Sequence, residues 1–63
     1  MTAPLAYSIP DAAQAVGLSE RSIRDAIRRG DLAPRFYGAK PLITAAELDA
    51  WLNALPSAPR TRR

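Results

Sequence analysis

Cysteine and histidine are both missing from this chain of 63 residues. Without cysteine no disulfide can staple the fold, and the absence suits a reducing compartment. With neither residue, no paired carboxylates on one helical face and no glycine-rich phosphate loop, both nucleophile and base are wanting. No enzyme is expected, and no cofactor or metal. Long hydrophobic runs are missing too: nothing approaches the roughly 20 residues that a membrane-crossing helix needs. Met1-Thr2-Ala3-Pro4-Leu5 lacks the basic start and apolar run of a signal peptide. The expectation is a soluble intracellular domain with no membrane partner. At this length it makes one domain, whose core rarely contributes more than about 3–5 kcal/mol.

Positive charge is missing from the first 20 residues, which carry only Asp11 and Glu20. The rest of the chain reverses that balance. Nine lysines and arginines face six acids, a net charge of +3. Arg21, Arg24, Arg28, Arg29, Arg35 and Lys40 all fall between positions 21 and 40, and Arg60, Arg62 and Arg63 close the chain. A small positive excess by itself means little. One basic surface and one basic tail on a near-neutral body are the electrostatic footprint of a nucleic-acid partner.

Punctuation residues divide the chain. Ser8-Ile9-Pro10-Asp11 reads as a helix start, with a serine cap, a proline in the first turn and an S-x-x-D box. Ile9, Ala12, Ala13 and Val16 repeat on one helical face, and Gly17 ends the helix. Leu18 is expected to turn inward, and Ser19 to cap a second helix over Glu20–Arg29 that stops at Gly30. Ile23, Ala26 and Ile27 are its buried stripe. Arg35-Phe36-Tyr37 reads as a short strand, Gly38-Ala39-Lys40-Pro41 as a turn and Leu42-Ile43 as the return strand. Thr44-Ala45-Ala46-Glu47 is a capping box that opens a third helix, whose inward face is Leu48, Trp51, Leu52 and Leu55. Nearly every large apolar residue thus has a core assignment, which leaves no exposed apolar patch. Helix–turn–helix–hairpin–helix is a mainly α fold, a small winged helix-turn-helix. Its domain spans residues 1–55, and residues 56–63 form a flexible basic tail.

In such a pair the second helix enters the major groove. With Ile23 placed at zero on a wheel of about 100° per residue, Arg24, Arg28 and Arg21 fall at roughly 100°, 140° and 160°. They share one arc, nearly opposite the buried stripe. The planar arginine fork can hold guanine O6 and N7 together, or grip a phosphate. Arg21, Ser22, Arg24 and Asp25, near the helix start, are the candidates for base edges, and Arg28 for phosphate. The same residues also suit a plain solvated helix, because Glu20–Arg24, Arg21–Asp25 and Asp25–Arg29 are all i,i+4 opposite-charge pairs. Arg35, Tyr37 and Lys40 sit on or beside the hairpin, where they can reach backbone or minor groove. Tyr37 can equally lie on the body of the domain. The terminal arginines are either a phosphate-binding arm or an inert solubilising end.

The run Ala12-Ala13-Gln14-Ala15-Val16-Gly17-Leu18-Ser19, then Ser22-Ile23-Arg24, Ala26-Ile27-Arg28-Arg29-Gly30 and Leu32, resembles the excisionase-like helix-turn-helix proteins of the MerR-like winged-helix group. Ile43-Thr44, Glu47-Leu48 and Trp51-Leu52 continue the likeness, which covers about residues 7 to 55. The resemblance implies a second helix that reads the major groove and a hairpin on the neighbouring minor groove. It also implies contacts at Arg21, Ser22, Arg24, Asp25 and Arg28. Family wings often carry several consecutive bases after the turn glycine, whereas this chain has Gly38-Ala39-Lys40-Pro41.

The function expected on these grounds is sequence-specific binding of double-stranded DNA. The leading form is an excisionase, or recombination directionality factor, that bends attachment-site DNA and directs a phage-type integrase toward excision. Its protein partners would be that integrase and neighbouring protomers on the DNA. A small phage or plasmid transcription regulator needs the same helix and the same arginines. A third reading, from another class, is a protein-binding adaptor without DNA contact.

Overall fold

The computed structural model describes residues 4–59. The leader reading at Met1–Ala3 and the tail arginines Arg60, Arg62 and Arg63 lie outside the described residues. The elements are β1 (Ala6–Tyr7), α1 (Ile9–Val16), α2 (Glu20–Arg28), β2 (Arg35–Tyr37), β3 (Lys40–Thr44) and α3 (Ala45–Ala54). Their order is that of a small winged helix-turn-helix, with the α1–α2 pair, a β2–β3 wing and a C-terminal helix.

Each helix starts on a hydroxyl. Ser8, Ser19 and Thr44 are extended, and each accepts the amide of the residue three positions on, at 3.2, 3.1 and 3.1 Å. α1 and α2 stop in the same way. Gly17 and Gly30 have φ of 77° and 84°. The amides after these glycines turn back onto the helix: Leu18 N–H to the Ala13 carbonyl at 2.9 Å, Asp31 N–H to Ala26 at 2.9 Å. Glycine reaches that left-handed backbone without Cβ strain. The second stop also delivers Leu32 into the core, 1% exposed. α2 ends at Arg28 rather than at the expected Arg29, which is its cap.

The sheet has the order β1-β3-β2, all antiparallel. β1 was not expected: at two residues, Ala6 and Tyr7, it is too short to show any alternation. It pairs with Thr44 and Ile43, and the Ala45 amide donates to the Leu5 carbonyl at 2.9 Å. The hairpin turn is tighter than expected, because Tyr37 pairs with Lys40 and only Gly38-Ala39 forms the loop. Positive φ falls on Gly38 alone of that pair, the II′ pattern that matches strand twist. Pro41 is therefore inside β3, opposite Phe36. That position is not hydrogen-bonded to β2 in an antiparallel ladder closed by Tyr37–Lys40. β1 reaches only Ile43 and Thr44, so the missing N–H breaks no bond.

The core is Ala12, Ala13, Ile23, Ala26, Leu32, Ile43, Leu48 and Trp51, with Tyr7, Ile9, Val16 and Ile27 packed against it. No polar or charged residue is buried among the described residues. Three expectations fail here. Leu18 is 43% exposed. The small Ala12 and Ala13 let α1 close on α2, and Val16 and Ile27 fill the junction without it. Leu52 and Leu55 are exposed as well; Leu55 lies past the helix on extended backbone, so it leaves the inward face. Phe36, Tyr37 and Leu5 join them, and large apolar residues are thus not all in the core. The Thr44–Glu47 box is also only half closed. Thr44 belongs to β3 and pairs with Ala6, and the Glu47 carboxylate instead accepts the Ala33 amide at 3.2 Å, tying the loop after α2 to α3.

Candidate nucleic-acid interface

The helix-turn-helix geometry sets the orientation of α2. With Ile23 and Ala26 wholly buried and Ile27 half-buried, the opposite side of the helix must face solvent. Arg21, Arg24 and Arg28 are all exposed there. Ser22 is half-buried. Its amide is bonded to the Ser19 hydroxyl, and the two hydroxyls are 3.1 Å apart. Of the candidates it is the least free to turn outward.

The charges on this helix are largely engaged with one another. Arg24 Nη2 lies 3.1 Å from Glu20 Oε1. Arg28 pairs with Asp25, half-buried beside it. The other two i,i+4 pairs read from the sequence do not form. Asp25 takes Arg28, three positions on, instead of Arg21 or Arg29. Arg29, at the helix cap, reaches forward to Asp31 at 3.2 Å. Arg21 consequently carries no ion pair among the described residues. These exposed pairs are each worth only about 0.2–1 kcal/mol, so a phosphate or a guanine edge can replace them.

The wing gathers its three candidates on one face. Antiparallel partners share a side of the sheet, and alternate residues share it along a strand. Arg35, opposite Leu42, and Tyr37, opposite Lys40, therefore lie together, with Phe36 and Pro41 on the reverse. Arg35, Tyr37 and Lys40 are exposed, Tyr37 at 80%, so this tyrosine does not lie down on the body of the domain. Neither Arg35 nor Lys40 has an acidic partner among the described residues.

A capped helix, a glycine turn, a second helix with an outward arginine face and a short wing make a complete recognition unit. A family model for a helix-turn-helix domain matches residues 6–56, from the first residue of β1 to just past α3. The chain belongs to this helix-turn-helix family. It is a DNA-binding family that includes excisionase-like proteins, and this protein is a DNA-binding helix-turn-helix protein. No curated protein and no solved structure matches the chain. Among the described residues no helix of this helix-turn-helix protein is long and apolar enough to cross a membrane.

Sequence reasoning assigned no role to Phe36 and did not anticipate the Glu47–Ala33 tie. The first had a signal, an aromatic on a three-residue strand with no partner element to cover it. The second had none, since the two residues are 14 positions apart.

Proposed function

We propose that this helix-turn-helix protein is an excisionase-type recombination directionality factor of the MerR-like winged-helix group. It binds attachment-site DNA sequence-specifically, bends it, and directs a phage-type integrase toward excision. The observation that carries the DNA side of the reading is the outward face of α2, with exposed Arg21, Arg24 and Arg28 opposite the buried Ile23 and Ala26. Arg21, Ser22, Arg24 and Asp25 are assigned to base edges in the major groove, and Arg28 to phosphate. Arg35, Tyr37 and Lys40 are assigned to the adjacent minor groove or its phosphates. Support for the recombination role comes from the run of residues from Ala12 to Leu32, which resembles the excisionase-like proteins. The action is architectural, without a catalytic step, and its partners beyond DNA are the integrase and neighbouring protomers.

A nuclease footprint over the DNA around the protein's own coding region tests this. Several closely spaced direct sites next to an integrase attachment site are the expected result. A single operator at a promoter would reassign the same DNA chemistry to a transcription regulator. Protection nowhere, with a recombinase still captured, would make the protein an adaptor.

A further inference from the structure

Asp25 is an acid set into the basic face of α2. With Ile23 at zero on the helical wheel it falls at roughly 200°, beside Arg21 at roughly 160° and Arg28 at roughly 140°. It therefore points away from the core together with the arginines. Glu20, at roughly 60°, only flanks them. Arg28 lies over Asp25, whose side chain is 31% exposed against 75% for that arginine. Arg21 stands one turn earlier on the same arc, and residues so spaced have Cβ atoms about 5–6 Å apart. Yet Arg21 and Asp25 form no ion pair, and Arg21 has none with any other acid among the described residues. A carboxylate in the middle of a phosphate-binding surface repels every DNA sequence alike. It favours binding only where the groove offers it a donor.

We propose that Asp25 is a specificity-determining residue of α2 and that it selects cytosine. On the duplex Arg28 leaves Asp25 for a phosphate, breaking an exposed and therefore weak ion pair. The carboxylate then faces the major groove as an acceptor without a partner, which is unfavourable once water is displaced. Only two base-edge groups can donate to it there, cytosine N4–H and adenine N6–H. Adenine sets its N7 acceptor beside that donor, where it opposes the second carboxylate oxygen. Cytosine presents the donor alone. The guanine of the same pair offers O6 and N7, the two acceptors that the free Arg21 fork fits. Arg21 and Asp25 thus read one G·C pair as a unit, with opposite charges side by side. The inference rests on the major-groove reading of α2 and deepens it, by naming the base pair and the residue that rejects the others.

The test uses the full chain and the footprinted duplex, with each base pair of the site replaced in turn and affinity read by fluorescence anisotropy. Wild type is expected to require G·C at one position, losing about tenfold or more when that pair is inverted or becomes A·T. Asp25→Asn keeps the shape of the side chain but adds a donor, which suits adenine N6 and N7. It should bind the original target about tenfold more weakly and random DNA more tightly. At that one position its preference should move from cytosine to adenine. Asp25→Ala should lose all preference there, and both variants should melt near the wild-type temperature. If each variant changes target and random binding by one common factor, with base preference intact, Asp25 is only a clamp on Arg28 and the inference is overturned. A wild-type preference for A·T at the position that Asp25→Asn alters would overturn the choice of cytosine. Wild type that binds no duplex at all would overturn the reading of α2, and this inference with it.

Discussion

Arg24 and Arg28 leave different partners behind when they turn to DNA. Arg24 is held by Glu20, at the very start of α2 where base edges are reached. Arg28 is held by Asp25 one turn later, where phosphate is nearer. Arg24→Ala is expected to cost about 1–3 kcal/mol on the target site and much less on random DNA, as loss of a base contact does. Arg28→Ala should weaken both alike. Fluorescence anisotropy on the two DNAs separates these outcomes, and equal losses for Arg24 would make it a positioning contact. Gly30 offers a second residue-scale test, on stability instead of binding. A Cβ there would meet no atom within 4 Å, but φ is 84°. Gly30→Ala should therefore destabilise by about 1–2 kcal/mol from backbone strain alone. Thermal melting gives the value, and a negligible shift would mean that the chain leaves α2 by another route.

At the scale of elements, α3 holds the assembly together. Thr44 closes β3 and caps α3, so sheet and helix share a residue. Leu48 and Trp51 then bury against the core, and Glu47 reaches back to the loop after α2. Trp51 is 8% exposed and is the largest side chain in a core otherwise made of alanine, leucine and isoleucine. Trp51→Ala is expected to lose about 3–5 kcal/mol. That is comparable with the whole stability of a domain of this size, about 3–5 kcal/mol. Urea unfolding followed by circular dichroism should find the variant largely unfolded without denaturant. An unshifted midpoint would show α3 to be peripheral.

Over the whole molecule, charge is segregated. The bases of the described residues lie on α2, at its end and on the wing, whereas α1 and α3 carry only acids. With about four to six phosphate contacts, the log–log salt slope of binding should be near −4 to −5 per protomer. Affinity indifferent to salt would remove the electrostatic basis of the interface. The wing supplies only Arg35 and Lys40, so the arginines at 60, 62 and 63 are the natural reserve of charge. Removing residues 56–63 should leave the melting temperature almost unchanged and shallow the slope by up to about 2–3 units. An unchanged slope would make this segment inert.

Local chemistry is what the sequence determined by itself. Hydroxyl caps at Ser8, Ser19 and Thr44, glycine stops at Gly17 and Gly30, and the 3.6-residue spacing of Ile23, Ala26 and Ile27 act within one turn of helix. They were therefore readable, along with the arginine face that they force outward. The tertiary structure alone decided whatever depends on a distant partner. β1 exists because β3 offers it an edge, and Glu47 serves Ala33 because Thr44 is already in the sheet. Leu18 and Leu55 have the hydrophobicity of core residues, but small alanines and a short third helix leave them outside. The same physics exposes Phe36: strand alternation aims it at the core side, but the wing extends beyond the reach of the core.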